Sequence, residues 1–393
     1  MRFMYILDAL FFMPDRMFKR TLKTQIKNDF FSGKIIVLLW PRQVGKTTLI
    51  NELLGSYDPS DIMSFNGDNN LDREILSENN LQKSGGYIAH KKIIFIDEAQ
   101  KIPNIWNTLK IFIDTYKATK QIIVTGSSSL NLLDKTREPL TGRKVVYQLF
   151  PISVGELLST YDVREVNHNL ENLLIFGSYP AVVKEKSIQG KIWLLEELSN
   201  ASLYRDILEF QQIKNSQIIL KLLKLLALQL GKEVAMSELA TNLGIDKGTV
   251  ERYIDILEKS FIIFRLPPYF TNKRKELNKA NKVYFYDVGM RNAVIGGYDF
   301  LENRKDVGDL WENFLIVERM KKQAYTRRYG HNYFRRTYNQ VEIDFIEEVG
   351  GKMSAFECKR SKKNARVPAA FAELYPESSF EVINRENFLD FVL

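Results

Sequence analysis

Runs of apolar residues, separated by helix-forming segments, dominate the first part of the chain. Three such runs are Lys34–Leu39, Lys92–Ile96 and Gln121–Val124, and Asn104–Tyr116 shows helical spacing between two of them. Continuous apolar runs are typical of parallel strands buried on both faces, and their alternation with helices is typical of a doubly wound sheet. The pattern therefore predicts an α/β domain over residues 17–160.

The pattern changes after this domain. Residues 161–214 are rich in Leu and Ile at helical spacing, which predicts a helical lid or linker region. Residues 215–287 contain two short helical segments and two strand-like runs, and residues 288–393 mix helices and strands again. The first sixteen residues, 1–16, are apolar but are interrupted by Asp8 and are too short to span a membrane, so we expect an N-terminal extension.

Composition narrows the classes of protein. Hydrophobic residues make up 45% of the 393 residues, which is enough for a core in each of two or three domains. The formal net charge is +8, and a basic surplus favours polyanions such as nucleotides, nucleic acids or anionic lipids. The single cysteine, Cys358, excludes disulfides within the chain and argues against a cysteine zinc site. We therefore expect a cytoplasmic protein without a membrane partner.

The segment Pro41–Thr48 has the position of a phosphate-binding loop. It follows a predicted strand and opens a helix, so that its backbone N–H groups and the positive end of the helix can bind phosphate oxygens. We expect Lys46 to reach the β- and γ-phosphates of ATP and Thr47 to bind Mg²⁺. The residues predicted to bind the nucleotide are Pro41, Arg42, Gln43, Val44, Gly45, Lys46, Thr47 and Thr48.

Trp40 occupies the position at which such a loop ordinarily begins with glycine. The loop turns tightly there, and a tryptophan brings a Cβ and a large ring into that turn. Two alternatives follow from this departure. Either the loop is remodelled at Trp40, or the indole ring lies over the site.

Two carboxylates end the second apolar run. Asp97 and Glu98 directly follow Ile93–Ile96. At the carboxyl edge of a parallel sheet both side chains would face the phosphate-binding crevice. We expect Asp97 to support Mg²⁺ and Glu98 to act as the general base that activates the attacking water.

Ser127 and Arg143 are candidates for contact with the transferred phosphate. Ser127 follows the third apolar run, where a polar side chain can touch the γ-phosphate or the water, although a serine-rich turn explains it equally well. Arg143 is a candidate arginine finger, in cis or in trans, and Arg137 competes for that role. Either arginine could instead be a solvated surface residue, and a homo-oligomer is possible.

These motifs resemble the ASCE division of P-loop ATPases. The segments that carry the resemblance include residues 33–49 and 93–106. Together with residues 282–294 and 306–319, they resemble more closely the prokaryotic AAA-type ATPases that carry a C-terminal domain of unknown function. The resemblance extends from about Met17 over nearly the whole chain, and it implies ATP binding and hydrolysis but no particular substrate.

Residues 236–259 have helix-turn-helix spacing. Gly244 supplies the turn and Asp246 can cap the second helix. Two strand-like runs follow, and the basic residues between them are Lys273, Arg274, Lys275, Lys279 and Lys282. The arrangement resembles a winged helix with a basic wing, which favours DNA binding. A protein-interaction or lid module is the alternative, because acidic side chains accompany the basic ones on the second helix.

A β-hairpin is predicted around Gly350 and Gly351. Residues on either side alternate between polar and apolar, and a Gly-Gly pair is a strong signal for a two-residue turn. With those glycines at its centre, Asp344 falls opposite Glu357, and Glu342 falls opposite Lys359. Side chains that are directly opposed lie about 5 Å apart. We expect these four polar residues on one face and Ile343, Phe345, Phe356 and Cys358 on the other.

The hairpin pattern resembles the PD-(D/E)xK nuclease superfamily. Asp344, Glu357 and Lys359 match its Asp and Glu-x-Lys positions, and Glu312 matches a helical Glu that often joins them. The resemblance implies a small α/β nuclease-like domain in which Asp344, Glu357 and Glu312 bind the metal that hydrolyses phosphodiesters, while Lys359 assists catalysis. The alternatives are a surface charge network and a decayed nuclease.

The segment between Glu318 and Glu342 is basic and aromatic. Guanidinium and ammonium groups bind a phosphate backbone and aromatic rings stack on bases, which favours DNA as a partner. The basic residues are Arg319, Lys321, Lys322, Arg327, Arg328, Arg335 and Arg336. Three roles remain open: an ATP-driven DNA-processing enzyme, a DNA-binding ATPase switch with an inactive C-terminal domain, and a signalling or assembly ATPase that binds proteins.

Overall fold

The structure is a computed structural model. It describes residues 17–77, 81–117, 119–127, 140–200, 216–269, 280–336, 342–361, 367 and 369–393.

The first part of the chain forms a parallel sheet with helices around it. The strands are β1 (Ile35–Leu39), β2 (Ile62–Asn66), β3 (Ile93–Asp97), β4 (Gln121–Gly126) and β5 (Lys144–Gln148). The helices are α1 (Leu22–Asn28), α2 (Lys46–Leu54), α3 (Asn70–Ser77), α4 (Leu81–Ile88) and α5 (Ile105–Tyr116). The strands lie in the order β2-β3-β4-β1-β5 and all pair in parallel, which confirms the predicted α/β sheet.

The central strands are apolar because they are covered on both faces. Every residue of β1 and β4 is buried, whereas the two edge strands β2 and β5 are partly exposed. Since all strands run in the same direction, their carboxyl ends meet at one edge of the sheet. The end of β1 leads into the loop before α2, and the end of β3 carries Asp97.

A helical region follows the sheet. Its helices are α6 (Val154–Leu158), α7 (Val163–His168), α8 (Leu170–Phe176), α9 (Pro180–Lys184) and α10 (Ile188–Asn200). Capping boxes start the first two: Ser153 pairs with Glu156, and Asp162 with Glu165. Helices at these positions agree with the helical spacing of the sequence.

The next part combines short helices with an antiparallel sheet. Its elements are α11 (Ser216–Leu228), β6 (Glu233–Val234), α12 (Met236–Leu243), α13 (Lys247–Lys259), β7 (Ile263–Leu266), β8 (Asn281–Phe285) and α14 (Val288–Ile295). The strands lie in the order β6-β8-β7. Gly244 is left-handed with a φ of 64°, and Asp246 accepts a hydrogen bond from the Thr249 amide at 2.9 Å, so the predicted turn and cap are confirmed.

The last part is built on one long helix. Its elements are α15 (Val307–Tyr325), β9 (His331–Arg336), β10 (Glu342–Val349), β11 (Lys352–Cys358), α16 (Ala369–Leu374), β12 (Ser379–Ile383) and α17 (Phe388–Val392). The strands lie in the order β12-β11-β10-β9, and α15 packs on β11 and α17.

The hairpin of β10 and β11 has the predicted register. Gly350 and Gly351 both have positive φ angles, 59° and 79°, and Val349 pairs with Lys352. The prediction for Ile343 was wrong. An irregularity between Ile343 and Ile346 in the pairing with β9 brings both into one small core, apart from the main core that holds Phe345, Phe356 and Cys358. A bulge changes the face that a side chain takes.

Candidate functional site

The predicted phosphate-binding loop joins β1 to α2. Gln43 and Gly45 have positive φ angles of 62° and 96°, and Gly45 stands directly before the helix. A left-handed glycine lets the chain turn sharply from strand to helix without a steric penalty. The first N–H groups of α2 and the positive end of its dipole are therefore placed to bind an anion in the loop.

Lys46 is buried at the first position of α2 and points back along the loop. Its ammonium group donates hydrogen bonds to the carbonyl oxygens of Trp40, at 2.5 Å, and Pro41, at 2.9 Å. Pro41 thus contributes a carbonyl group, whereas Arg42–Thr48 line the cavity described below. The ammonium group therefore lies close to the space inside the loop in which a phosphate would bind.

The indole ring of Trp40 turns away from the loop and into the core. Its centre lies 4.1 Å from that of Phe150, 4.4 Å from that of Phe261 and 4.8 Å from that of Tyr286. The side chain is only 1% exposed and does not line the cavity. Of the two alternatives for Trp40, the structure therefore excludes a ring that lies over the site.

Arg20 holds the loop through a hydrogen bond to its backbone, and sequence reasoning missed it. Its guanidinium group donates to the carbonyl oxygens of Val44, at 2.8 Å, and Phe150, at 2.5 Å, and pairs with Glu156 at 3.1 Å. The side chain is buried and precedes α1. A lone arginine ahead of the first strand gives no signal in a sequence for a contact with a loop 24 residues later.

A cavity of about 580 Å³ opens over the loop. One part of its lining is Arg42–Leu49 with Glu52 and Glu98. The rest of the lining is mostly apolar and comes from other segments: Met17, Phe18, Arg20, Ile152, Pro180, Ala181 and Lys184. A cavity with a phosphate-binding part and an apolar part suits a nucleotide, because the faces of the base are apolar.

Thr47 and Asp97 meet at the edge of this cavity. The Thr47 hydroxyl lies 3.2 Å from Oδ2 of Asp97, and Oδ1 accepts hydrogen bonds from the Thr125 hydroxyl and, at 3.1 Å, from the amide of Glu98. Hydroxyl and carboxylate oxygens are the hard ligands that Mg²⁺ prefers. The two predicted magnesium residues therefore lie together and fit the ion, and Thr125 is an additional residue that holds the carboxylate.

Glu98 lines the cavity and is held in an unusual conformation. Its backbone is left-handed, with a φ of 49°, and its carboxylate accepts a hydrogen bond from Gln100 at 2.5 Å. The same amide of Gln100 donates to Ser127 at 2.9 Å, so the buried Ser127 reaches Glu98 through Gln100. A Cβ on Gly67 would lie 2.2 Å from the carbonyl oxygen of Glu98, which is why a glycine is needed there.

Arg143 lies at the opposite edge of the sheet. It precedes β5, whose first residue pairs with Ile35 at the start of β1, whereas the loop begins at the far end of that strand, about 16 Å away. Its guanidinium group donates to Asp114 at 2.6 Å. The prediction that Arg143 acts as an arginine finger in cis is therefore wrong, because its guanidinium group cannot reach the cavity over the loop. Arg137 lies outside the described residues.

The predicted basic wing is only partly described. Lys273, Arg274, Lys275 and Lys279 lie outside the described residues. Lys282 is described, and the prediction that it would contact phosphates from the wing is wrong. Its side chain is 3% exposed, and its ammonium group pairs with Glu312 at 2.9 Å and Glu342 at 2.5 Å. Helix α13 carries exposed Lys247 and Arg252 but also Glu251, which lies 3.8 Å from Lys247.

Four carboxylates and two lysines form an acidic cluster where α15, β8 and the hairpin meet. Its members are Lys282, Glu312, Glu342, Asp344, Glu357 and Lys359. The pairing of the hairpin ends with Phe345 and Phe356, which are the residues next to Asp344 and Glu357. Asp344 is buried and accepts a hydrogen bond from the Cys358 amide at 2.7 Å, and Lys359 pairs with Glu357 at 2.6 Å.

Burial and mutual repulsion perturb the carboxylates of this acidic cluster. Burial raises the pKa of Glu312 from its ordinary 4.5 to about 7, and the charge of Asp344 adds to the rise. Burial likewise raises the pKa of Asp344 and that of Glu357, where the Asp344 charge adds to the effect. Burial alone would lower the pKa of Lys282, but the nearby carboxylates outweigh it and the pKa is raised. Lys282 therefore carries the positive charge that these carboxylates require.

Lysines pair with the carboxylates of the acidic cluster in this arrangement. Within the described residues, no group of three His, Cys, Asp or Glu side chains is placed to hold a metal ion. The carboxylate of Glu312 is engaged by Lys282 and by the Tyr284 hydroxyl instead. The predicted residues Glu312, Asp344 and Glu357 thus come together, but lysines neutralise them.

The basic segment of the sequence divides between the interior and the surface. The prediction that Arg319 and Lys321 contact nucleic acid is wrong, since both are buried and pair with Glu347, at 2.6 Å, and Glu318, at 2.7 Å. Arg327 and Arg328 are exposed and line a groove of about 670 Å³ between β5 and the end of α15. The groove is lined in part by Lys34, Tyr147, Arg327, Arg328 and Tyr329.

Comparison with known proteins bears first on the loop and its sheet. Residues 32–158 match the family described as AAA domain. This match supports an ATP-binding P-loop ATPase domain of the AAA type. Residues 167–299 match a domain of unknown function (DUF8612), and residues 307–389 match another (DUF4143).

Similar proteins span most of the chain. An uncharacterized protein of Mycobacterium tuberculosis is 26% identical over 345 residues, which cover 87% of this chain and 74% of that protein. An uncharacterized protein of Methanocaldococcus jannaschii is 25% identical over 347 residues, which cover 83% of this chain and 75% of that protein. Neither name carries a function.

Two solved structures are distantly similar. The Walker-type ATPase PABY2304 of Pyrococcus abyssi aligns with a TM-score of 0.47 and 15% identity, over 74% of this chain and 99% of that one. The RuvB Holliday junction branch migration motor of Thermotoga maritima aligns with a TM-score of 0.29 and 16% identity, over 67% and 95%. Likenesses this distant do not bear on function. In the described part of the chain, no helix is long and apolar enough to cross a membrane.

Proposed function

We propose that this protein hydrolyses ATP in a Mg²⁺-dependent reaction at the cavity over the loop. Lys46 binds the β- and γ-phosphates, Thr47 and Asp97 hold the ion, and Glu98 orients and deprotonates the attacking water. When bound, the ion offsets the negative charge of the phosphates. The remaining residues of Pro41–Thr48 bind phosphate oxygens through their backbone N–H groups.

The contact between Thr47 and Asp97 supports this proposal most directly. A hydroxyl and a carboxylate lie 3.2 Å apart at the cavity edge, and Glu98 follows Asp97 on the cavity wall. Asp97 is held by Thr125 and by a backbone amide, so the protein itself orients its carboxylate. Such preorganisation is what electrostatic catalysis requires.

The test is ATP turnover by a Lys46→Ala variant. Phosphate release should fall to background, because the loop loses the cation that stabilises the transferred phosphate. Lys110→Ala is the matched control, since Lys110 is exposed on α5, away from the cavity lining. Turnover that survives in purified Lys46→Ala protein, and not in a mock preparation, would refute the proposal.

A second proposal is that the protein associates with DNA. The groove beside β5 offers the exposed groups Lys34 and Arg328 for phosphates, and Tyr329, which is 84% exposed, for stacking on a base. In this proposal α12, α13, β7 and β8 act as a winged helix that contacts DNA. Binding should weaken steeply with salt, and a Lys34→Ala, Arg328→Ala double variant should flatten that dependence. Binding unaffected by salt or by the variant would count against DNA.

The acidic cluster is a candidate nuclease site. In support, Lys359 pairs with Glu357 at 2.6 Å, and the charge of Asp344 acts on both Glu357 and Glu312. Cleavage of DNA in Mn²⁺ or Mg²⁺ that is lost in Asp344→Ala would support a nuclease. Salt-dependent binding without cleavage would favour a DNA-binding switch, and no binding would favour a protein partner. Arg143 can act as a finger only in trans, which a homo-oligomer would allow.

A further inference from the structure

One wall of the cavity over the loop is held by helix α15, from the last part of the chain. The ammonium group of Lys321 donates to the backbone carbonyl oxygen of Ile152, which lines the cavity, at 3.1 Å. These two residues are 169 positions apart in the sequence. Glu318, about one turn earlier on α15, accepts a hydrogen bond from the amide of Val154 at 2.7 Å. Helix α15 therefore holds the backbone of this wall at two places.

Lys321 and Glu318 form a buried ion pair. They are 1% and 3% exposed, and the ammonium group of Lys321 lies 2.7 Å from one carboxylate oxygen of Glu318. The other carboxylate oxygen accepts from the amide of Val154, and Lys321 also donates to the carbonyl oxygen of Ile152 and the hydroxyl of Ser178. Each charge thus has a neutral partner in the wall, and a shift of the pair would leave buried polar groups unsatisfied.

Ser178 joins this ion pair to a second part of the same wall. Its backbone carbonyl oxygen accepts from the amide of Ile152 at 2.9 Å, and its hydroxyl accepts from Lys321 at 3.1 Å. Pro180 and Ala181, which also line the cavity, follow closely at the start of α9. Ile152 and the start of α9 therefore meet at Ser178, and Lys321 bonds to both Ile152 and Ser178.

The wall that these contacts hold belongs to the apolar part of the cavity. In the proposed ATP complex the triphosphate lies in Pro41–Thr48, which leaves the mostly apolar remainder of the cavity for the base. The lining there includes Ile152, Pro180 and Ala181. The attraction between apolar atoms falls steeply once a gap opens between them, so the position of this wall determines how closely a base can pack.

We propose that Lys321 and Glu318 are positioning residues for the base-binding part of the ATP site. Their ion pair holds the wall at Ile152 and at the start of α9, so its loss weakens the binding of the nucleoside but not that of the phosphates. This inference rests on the proposed function, since it takes the cavity as an ATP site. It makes the last part of the chain a component of nucleotide binding.

The test compares ATP with inorganic tripolyphosphate, which has the linked phosphates of ATP but no nucleoside. Dissociation constants of both are measured in Mg²⁺ for the wild type and for the double variant Glu318→Gln, Lys321→Met, which removes both charges together. ATP binding should weaken roughly 10-fold, which corresponds to about 1.4 kcal/mol, while tripolyphosphate binding stays unchanged. In steady-state turnover the variant should show a raised KM for ATP at an unchanged kcat, because the loop and its catalytic residues are not altered.

The matched control is the double variant Arg319→Met, Glu347→Gln. That ion pair is also buried, with 2.6 Å between its charged atoms, but it joins α15 to β10 instead of to the cavity wall. Both double variants should lose stability, so thermal unfolding is measured for each and binding is compared well below every midpoint. Only the variant at Glu318 and Lys321 should change the ratio of the two dissociation constants. Ser178→Ala should change that ratio in the same direction by less, and it decides the question if that variant does not fold.

Three results would contradict the inference. A ratio that is unchanged in the variant at Glu318 and Lys321 and in Ser178→Ala, or that changes equally in the control, would overturn the positioning role alone. Equal dissociation constants for ATP and tripolyphosphate in the wild type would do the same, because the apolar part of the cavity would then bind no base. A wild-type protein that binds neither ligand would overturn the ATP site and this inference together.

Discussion

The hydroxyl oxygen of Thr47 lies 3.2 Å from a carboxylate oxygen of Asp97, although 50 residues separate them in the chain. The contact arises because β1 and β3 run in the same direction and end at the same edge of the sheet. Thr47 opens the helix after β1, and Asp97 ends β3. The topology of the sheet therefore brings these two oxygen ligands together.

This geometry predicts different effects of two substitutions at Thr47. Thr47→Ser keeps the hydroxyl and should retain most activity. Thr47→Ala removes a ligand of the ion and should lower turnover at least ~10-fold while raising the Mg²⁺ concentration needed for half-maximal rate, since one lost hydrogen bond to a charged group is worth about 1.5–3 kcal/mol. A Mg²⁺ titration of the initial rate measures both effects. Equal titration curves for the two variants would show that the Thr47 hydroxyl does not bind the ion.

Glu98→Gln should separate binding from turnover. The amide has nearly the shape of the carboxylate but cannot accept a proton, so the rate should fall by roughly 10²–10⁴-fold while the nucleotide still binds. Equilibrium binding of a fluorescent ATP analogue and single-turnover phosphate release measure the two properties. Gln100→Ala is informative beside it, because it frees the carboxylate without removing it and should reduce the rate less. A Glu98→Gln protein that turns over normally would show that another group is the base.

Much of this site can be predicted from short stretches of sequence. The remaining parts cannot be predicted, and the reason is physical. The loop and the start of α2 are consecutive residues, so the order of residues in the sequence is enough to predict which of them lie together. The register of the hairpin follows from Gly350 and Gly351, because a two-residue turn leaves one choice of pairing.

Contacts between distant segments are not encoded in any local pattern. Arg20 reaches Val44 only once α1 has packed beside the sheet. Thr125 meets Asp97, and Ser127 meets Gln100, only because β3 and β4 are neighbours. The position of Ser127 after β4 predicts its contact with the γ-phosphate or the water, but no local pattern predicts that Thr125, near the end of the same strand, contacts Asp97. The charge of Lys282 and its place between two strand-like runs predict an exposed wing residue, whereas its burial depends on the distant carboxylates of Glu312 and Glu342.

Gly67→Ala tests the packing behind Glu98. The new Cβ would lie 2.2 Å from the carbonyl oxygen of Glu98, which is backbone and cannot rotate aside. We expect a loss of about 1–3 kcal/mol of unfolding free energy, the usual cost of overpacking, together with a lower rate because Glu98 must shift. Gly86→Ala is the control, since that glycine lies in α4 with open space around it. A Gly67→Ala protein that matches Gly86→Ala in stability and rate would contradict the prediction.

The buried side chain of Lys191, which lies near the cavity, should make the unfolding free energy depend on pH. Its buried ammonium group donates to the carbonyl oxygen of Val182 in α9, the helix that carries the cavity residues Pro180, Ala181 and Lys184. Burial lowers its pKa from 10.5 to about 8. Between those values the unfolded chain binds a proton that the folded chain has released, so this group makes the fold more stable as the pH rises from 8 to 10.5.

The measurement is the unfolding free energy of wild type relative to Lys191→Met across that window. The difference should move in favour of the wild type with rising pH, by at most about 3.5 kcal/mol, because one pKa unit corresponds to about 1.4 kcal/mol. Below pH 8 the difference should be flat. A difference that stays constant from pH 8 to 10.5 would show that the lysine keeps its ordinary pKa.

Removing Lys282 should destabilise the protein, because the carboxylates of the acidic cluster would then lack the cation that neutralises them. Lys282→Met leaves Glu312 and Glu342 without their shared cation, and breaking a buried ion pair typically costs about 3–5 kcal/mol. If the carboxylates can bind a metal, Mn²⁺ should restore part of that loss, because a divalent cation then replaces the ammonium group. Thermal unfolding with Mn²⁺ and with a chelator measures the rescue.

Lys321→Met is the matched control, because Lys321 is equally buried but pairs with Glu318 away from the acidic cluster. It should lose stability without any rescue by Mn²⁺. Rescue confined to Lys282→Met, and abolished by a further Asp344→Asn substitution, would mean that the carboxylates can bind a metal once the lysine is gone. Equal behaviour of the two lysine variants in Mn²⁺ and in chelator would instead make Lys282 a structural counter-ion, and the carboxylates a packing feature of the interface between α15, β8 and the hairpin.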